Sequence, residues 1–345
     1  MDSTLAHHLG IDLPIIQAPM AGVQGSALAI AVSNAGGLGS LPCAMLDMET
    51  LGQELAAIRA GTRQPFNVNF FCHLEPAPDQ ARERAWRELL APYYREFDID
   101  PTTITRGASR RPFDDVVAEV VEPFRPPVVS FHFGLPSAQL LARVKSWGAF
   151  VLSTATTVNE ARWLEAHGAD AIIAQGLEAG GHRGHFLSRD VTLETGTFAL
   201  LPCIVDAVHV PVIAAGGIAD RRGVAAAFAL GASAVQLGSA YLLCPEATTS
   251  RVHRAALMDE GSSHTALTNL FSGGLARGIV NRLMREIGPV NVLAPPFPLG
   301  SSALAPLRAA AERAGSGDFS PLWAGQGAFE GRSVGAAALT RDLMA

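Results

Sequence analysis

The chain has 345 residues, of which 48% are hydrophobic and 17% are charged, and its formal net charge at neutral pH is −6. This composition predicts a globular protein with room for one domain of barrel size plus an insertion. The net negative charge argues against a surface that binds nucleic acid or an anionic membrane, because both kinds of surface need clustered lysine and arginine. The four cysteines are far apart and no export signal is visible, so we predict reduced thiols and a cytoplasmic protein.

Eight short apolar segments alternate with helical patterns along the chain, and we predict that each is a β-strand. In order they are Pro14–Ala18, Leu38–Leu41, Phe66–Phe70, Val128–Phe133, Phe150–Ser153, Ala171–Gln175, Pro211–Ala215 and Ala234–Gly238. Eight strands alternating with helices predict an α/β fold of the TIM (β/α)8 barrel type. The alternative is an open, doubly wound sheet, which would favour a Gly-x-Gly-x-x-Gly turn after the first strand, where this chain has Ala18-Pro19-Met20-Ala21-Gly22.

Two regions fall outside this alternation and divide the chain. Residues 73–127 are too long for an ordinary connection, so we predict a helical insertion with helices over Asp79–Glu96 and Phe113–Val121. Residues 246–345 predict a C-terminal helical cover or lid over the barrel mouth, with the last barrel helix within it. The barrel then comprises residues 1–72 and 128–245. We expect the short basic cluster of Arg106, Arg110 and Arg111 to lie on a solvated face.

The active site of such a barrel lies at the carboxyl ends of its strands, so candidate residues can be collected from the strand ends. They are mostly amides, glycines and histidines: Ala18, Pro19, Met20, Asn69, His132, Thr154, Gln175, Gly216, Gly217, Gln236, Leu237, Gly238 and Ser239. This set suits an uncharged or delocalised ring system better than a divalent metal or a pair of glycosidase carboxylates. His182 and His185 are three residues apart, but no suitable ligand flanks them, so we predict no metal site.

The loop that follows the sixth predicted strand places His182 among glycines. Gly180, Gly181 and Gly184 have no Cβ, which lets the backbone approach a planar ligand closely. His182 would lie beside that ligand as an acid, a base or a hydrogen-bonding group. The alternative is a long turn that carries a solvated histidine.

Glycine turns also follow the last two predicted strands, at Gly216-Gly217 and at Gly238-Ser239. Barrels commonly bind phosphate there through backbone N–H groups, and simple tight turns are the alternative.

Other strand-end side chains have two interpretations each. Asn69 and Gln175 would bond the edge of a flavin ring, or would cap loop backbone instead. His132 would be a functional side chain at the end of its strand, or would be a core histidine with its hydrogen bonds satisfied. The only lysine, Lys145, lies on the flank of a predicted helix, and no Gly-x-Ser-x-Gly motif occurs, so lysine chemistry and the serine-hydrolase elbow are excluded. Cofactor chemistry assisted by a histidine is what remains.

These motifs together resemble the nitronate monooxygenase family, formerly called 2-nitropropane dioxygenases, and its class I bacterial members in particular. The stretches that carry the resemblance are Pro14–Met20, Asn34–Ser40, Pro65–Asn69, Val129–Gly134, Gln175–Gly184, Ala214–Ile218 and Gln236–Ser239. The resemblance implies a TIM barrel that binds FMN through Asn69, Gln175, Gly180, Gly217 and residues 236–239, with residues 18–20 lining the flavin by backbone. It implies that His182 is the catalytic histidine and that His132 lines the substrate side.

The activity implied by the resemblance is the oxidation of alkyl nitronates, such as toxic propionate 3-nitronate, by O2 to a carbonyl compound and nitrite or nitrate. The expected partners are a small nitronate and O2, without nucleic acid or membrane, and the expected state is a monomer or a homodimer. Two other functions stay open. One is an NAD(P)H-dependent FMN reductase of the same barrel type, acting on a quinone or an enoyl thioester. The other is a flavin- or phospholigand-binding protein without turnover.

One departure from the family pattern concerns the C-terminal region. Class I members carry tyrosines and a lysine in a motif near the barrel mouth, where this chain has Phe297, Ser301 and Ala305. The loss of these polar groups predicts a more apolar nitronate substrate, or a different reaction.

Overall fold

The computed structural model describes residues 4–104, 110–328 and 332–345, and its main feature is a sheet of eight parallel strands. These strands are β1 (Ile15–Gln17), β2 (Gly39–Pro42), β3 (Phe66–Phe71), β4 (Val128–His132), β5 (Phe150–Ala155), β6 (Ala171–Gln175), β8 (Val212–Ala215) and β9 (Ala234–Leu237). Their order is β1-β9-β8-β6-β5-β4-β3-β2. The Gln17 N–H donates to the Leu38 carbonyl at 2.9 Å, which joins β1 to the segment that leads into β2 and nearly closes the barrel. All eight predicted strands are present, and the predicted TIM barrel is confirmed.

The described helices are α1 (Thr4–Leu9), α2 (Ser26–Asn34), α3 (Met48–Gly61), α4 (Gln80–Glu96), α5 (Asp115–Val121), α6 (Ala138–Ser146), α7 (Val158–Ala166), α8 (Thr197–Val205), α9 (Arg221–Ala229), α10 (Arg251–Met258), α11 (Arg282–Ile287), α12 (Ser301–Arg313) and α13 (Ala336–Asp342). Most begin at a polar cap, and Thr157 and Asp220 accept backbone N–H bonds at the starts of α7 and α9. Such caps satisfy N–H groups that the helix leaves unpaired.

The barrel strands are buried along almost their whole length because both of their faces are covered. Inside the barrel, Leu38, Leu152 and Ile213 pack with Leu5 and Leu9 of α1, so α1 closes the end of the barrel where the strands begin. Outside, helices α2, α3, α5 to α9 and α13 surround the sheet. The opposite end, where the strands finish, is left for the site.

The insertion predicted over residues 73–127 divides between two environments. Its second helix, α5, buries Val117 and Val121 in the cluster that contains strand residues of β3 and β4, and so lies in the outer helix ring. Its first helix, α4, packs instead on the C-terminal region, where the Tyr94 hydroxyl donates to the Ala303 carbonyl at 2.8 Å. The insertion and the C-terminal region therefore share a hydrophobic core above the barrel.

The C-terminal region also contains strands in addition to the helices predicted there. Strands β10 (Thr265–Thr268) and β11 (Ala276–Ile279) pair antiparallel, and β11 also pairs with β7 (Gly181–His182). Ala276 lies opposite His182 in this register. These strands have at most four residues and no clear alternation, which is why periodicity alone did not indicate them. Their effect is to attach the His182 loop to the C-terminal region.

Within the described ranges, no helix is both long enough and apolar enough to cross a membrane.

Candidate active site

The carboxyl ends of the barrel strands surround a cavity of about 1400 Å³, a volume that includes solvent at its open mouth. The predicted site residues that line it are Ala18, Pro19, Met20, Asn69, His132, Thr154, Gln175, Gly180, Gly181, His182, Gly216, Gly217, Gln236, Gly238 and Ser239. Leu237 does not line it, because alternate residues of a strand point to opposite faces and its side chain packs in the core between sheet and helices.

Gln175 holds the His182 loop in place. Its Nε2 donates to the His182 carbonyl at 3.0 Å, and its Oε1 accepts from the Gly184 N–H at 2.7 Å. The loop is therefore ordered by a strand-end amide that caps its backbone, which was one of the two interpretations of Gln175. The same side chain also borders the cavity.

Arg183 anchors the loop from the side that faces away from the cavity. Its guanidinium is fully buried and donates to the Glu194 carboxylate at 2.6 Å and to the carbonyls of Gly176 and Gln175, each at 2.9 Å. The second Glu194 oxygen lies 2.9 Å from Nδ1 of His185. Because His185 bonds to Glu194 in this way, it belongs with Arg183 and Glu194 to the group that holds the loop in place. The described residues contain no group of three or more histidine, cysteine or carboxylate side chains that could hold a metal ion.

His182 enters the cavity with one ring nitrogen bonded and the other available. Its Nε2 lies 2.8 Å from the Ser272 hydroxyl, whose oxygen is 3.3 Å from the Gly274 carbonyl. When this hydroxyl donates to Gly274, His182 Nε2 carries the proton and Nδ1 is the basic nitrogen. Burial, followed by the positive charge of Arg110, holds the pKa of His182 well below its usual range. The ring is therefore neutral at pH 7.

His132 supports the His182 loop through both of its ring nitrogens. Nε2 lies 3.2 Å from the His182 carbonyl, which can only accept, so Nε2 donates. Nδ1 then accepts from the Thr154 hydroxyl at 3.1 Å. Burial lowers the pKa of His132 to about 4. His132 therefore matches the second interpretation, a histidine whose hydrogen bonds are satisfied within the protein. Its ring nevertheless also borders the cavity.

We expect acid to destabilise the fold through its buried histidines. Burial lowers the pKa values of His73, His132 and His253 to about 4, whereas an unfolded histidine has a pKa of about 6.5. Between these values the unfolded chain binds more protons than the folded one, so the free energy of unfolding falls as the pH is lowered from about 6.5 to about 4. Thermal melts across this range measure the fall.

The control for this acid dependence is His253→Gln, which removes one of the buried titrating rings. Its melting temperature should depend less steeply on pH than that of the wild type. A melting temperature that stays constant between pH 6.5 and pH 4.5 would contradict the prediction.

Three features of the cavity wall suit a bound cofactor. A Cβ on Gly180 would lie 2.5 Å from the Gly325 N–H nitrogen, so only glycine allows these two backbones to approach at the cavity wall. Gly217 has φ of +69°, a conformation that favours glycine, and lies at the turn after β8. The Gln236 Oε1 is buried beside the cavity and has no hydrogen-bond partner among the described residues. A buried acceptor of this kind costs about 1–3 kcal/mol unless a ligand donates to it.

Several cavity residues lie outside the predicted set. Phe71 and Trp323 line the cavity, His73 packs against Phe297 at 4.8 Å between ring centroids, and Ser272 contacts His182 from the C-terminal region. Arg110 was expected on a solvated face, and that expectation is wrong because its half-buried side chain lines the cavity. Arg111 beside it is exposed and paired with Asp114, whereas Arg106 lies outside the described residues. Sequence spacing carries no signal for these long-range contacts.

The three positions that depart from the C-terminal motif have different surroundings. The Phe297 ring lies 5.1 Å from the His182 ring, centroid to centroid, and so faces the site. The Ser301 hydroxyl donates to the Pro298 carbonyl at the start of α12, and Ala305 is exposed. Of the three, only Phe297 contacts the predicted catalytic histidine.

Known proteins match this chain over nearly its whole length. A family model described as nitronate monooxygenase matches residues 2–345. A nitronate monooxygenase of Pseudomonas aeruginosa is 44% identical over 338 residues, which are 97% of this chain and 96% of that protein. The solved structure of nitroalkane oxidase from Streptomyces ansochromogenes has a TM-score of 0.88 and 40% identity, covering 98% of this chain and 96% of that one. FabK from Thermotoga maritima has a TM-score of 0.73 and 27% identity, covering 99% and 94%.

Proposed function

Because this chain belongs to the nitronate monooxygenase family, a family of flavin-dependent oxidoreductases, we propose that it binds FMN and oxidises alkyl nitronates with O2. The products would be a carbonyl compound and nitrite or nitrate. The observation that carries the proposal is His182, which reaches the cavity as a neutral ring whose Nδ1 forms no hydrogen bond with a described residue, in the loop that carries the family resemblance.

FMN is the flavin that the cavity fits best in our proposal. The glycine turns at Gly216-Gly217 and Gly238-Ser239 would hold the phosphate through backbone N–H groups. The unpaired Gln236 Oε1 and the amides of Asn69 and Gln175 would meet the polar edge of the ring. Backbone of Ala18, Pro19 and Met20 would line the ring face. The flavin would supply the electron acceptor, and O2 would be the final oxidant.

His182 would act differently on the two forms of the substrate. A nitronate has already lost its α-proton, so His182 would only bind and orient it, in the tautomer in which the Ser272 hydroxyl donates to Nε2 and Nδ1–H donates to a nitronate oxygen. A neutral nitroalkane must first lose that proton, and neutral Nδ1 would accept it, because the low pKa keeps the ring unprotonated at pH 7. Ser272 and His132 would hold the ring and its backbone in the required orientation.

The experiment that tests this function uses purified protein reconstituted with FMN. We expect propionate 3-nitronate in air to release nitrite and to consume O2, and an anaerobic titration with the same nitronate to bleach the flavin absorbance. Protein that binds FMN but gives neither nitrite nor oxygen uptake would exclude the reaction.

The same flavin spectrum distinguishes the reductase alternative from the oxidation of nitronates. Rapid anaerobic bleaching by NADH or NADPH, without bleaching by a nitronate, would favour an NAD(P)H-dependent FMN reductase. If neither a nitronate nor a nicotinamide nucleotide bleaches the flavin, a binding protein without turnover is favoured. The cytoplasmic location and the monomeric or homodimeric state stay predictions from the sequence.

A further inference from the structure

Arg110 reaches the cavity because the chain returns to the barrel directly after it. The Phe113 N–H donates to the Phe71 carbonyl at 2.8 Å, and Pro112 forms a parallel bridge with Phe71 at the end of β3. The Phe70 and Phe113 rings pack at 4.8 Å beneath this bridge. The backbone before Pro112 is thus held at the barrel mouth, and the Arg110 side chain extends over the cavity.

The guanidinium of Arg110 lies one aromatic ring away from His182. Its Cζ is 5.5 Å from the centroid of Phe297, and the Phe297 ring is 5.1 Å from the His182 ring. The positive charge of Arg110 contributes to the lowered pKa of His182 and of His73, which shows that the charge acts within the site. A guanidinium on a phenyl face keeps its N–H edges free for another partner.

Arg110 has no anionic partner among the described residues. The described side chains that line the cavity include neither a carboxylate nor a lysine, and Arg110 is their only permanent charge. Burial lowers the pKa of Arg110, and the positive charge of Arg308 lowers it further. Arginine nevertheless stays protonated at neutral pH. A half-buried cation without a counter-charge is costly, and an anionic ligand would offset that cost.

We propose that Arg110 is the residue that binds the distal carboxylate of a substrate such as propionate 3-nitronate, and that it thereby determines the preference for this substrate over nitronates with an uncharged chain. This inference rests on the proposed function, since it assigns the nitronate group to His182 and the flavin. Phe297 would then separate the two anionic ends and pack against the short chain between them. A cation from the insertion would replace the lost polar groups of the C-terminal motif, so the proposal departs from the more apolar substrate that their loss predicted.

The test compares two substrates that differ only at that distal end, propionate 3-nitronate and propyl-1-nitronate, in the FMN-loaded enzyme. We expect the wild type to prefer the carboxylate by kcat/KM. Arg110→Met should lower kcat/KM for propionate 3-nitronate by about 10- to 100-fold, chiefly through KM, and change the value for propyl-1-nitronate by less than about threefold. Arg110→Lys should restore part of the loss.

Arg111→Met is the matched control, because Arg111 is the neighbouring arginine, is exposed and is paired with Asp114. It should leave both substrates unchanged. Equal losses for both substrates in Arg110→Met would indicate a structural role and overturn the inference, as would no loss for either.

A binding measurement separates this inference from the proposed function. Calorimetry with butyrate, which the enzyme cannot oxidise as a nitronate, should give about 10-fold weaker binding to Arg110→Met than to the wild type. Absence of turnover with both nitronates would refute the proposed function alone if butyrate binding still depends on Arg110. Butyrate binding that is the same in both proteins would refute the role of Arg110, whatever the turnover.

Discussion

His182→Asn is expected to lower kcat/KM for a neutral nitroalkane by about 10²- to 10⁴-fold, which is the usual contribution of a positioned general base. The imidazole Nδ1 is the group in the cavity that stays neutral at pH 7 and forms no hydrogen bond with a described residue. An asparagine side chain has no nitrogen that accepts a proton. Steady-state oxygen uptake with nitroethane measures the loss.

The same variant should lose much less activity toward the corresponding nitronate, because that substrate arrives without the α-proton. This difference between the two substrates distinguishes a proton acceptor from a residue that merely shapes the cavity. His264→Asn is the control, since His264 is exposed and does not line the cavity. Equal activity of His182→Asn and wild type on nitroethane would remove His182 from the reaction.

Arg183→Met is expected to lower the free energy of unfolding by about 3–5 kcal/mol, which is the typical cost of removing one partner from a buried ion pair. The Glu194 carboxylate, with 2% of its side chain exposed, would lose its guanidinium partner. The carbonyls of Gly176 and Gln175 would lose their donors in the same variant. Because these groups hold the end of β6 and its loop, FMN binding should weaken together with stability.

Urea unfolding at pH 7 measures this loss, with Arg308→Met as the control. Arg308 forms an exposed pair with Glu312 one helical turn away, and such surface pairs contribute at most about 1 kcal/mol. A loss in Arg183→Met as small as that of the control would show that the buried anchor is unimportant.

The barrel was predictable because its signals are local. Each strand is a short apolar run, and strands such as β6 (Ala171–Gln175) have the predicted bounds. Once eight parallel strands are recognised, their carboxyl ends must share one face, and the residues at those ends line the cavity with the exception of Leu237. The C-terminal strands β10 and β11 were not predicted, because four-residue strands carry too weak a pattern.

By itself, the sequence determined the barrel, the set of strand-end residues around the cavity and the histidine that enters it, because all of these follow from periodicity and the geometry of parallel strands. Only the tertiary structure decided what surrounds that histidine. Ser272, 90 residues further along the chain, bonds its ring, and Arg110 of the insertion brings a positive charge above it. Both come from segments that lie outside the strand–helix alternation, and their positions depend on the hydrophobic core that the insertion and the C-terminal region share. Packing between segments distant in sequence leaves no local pattern, so the fold alone reveals these contacts.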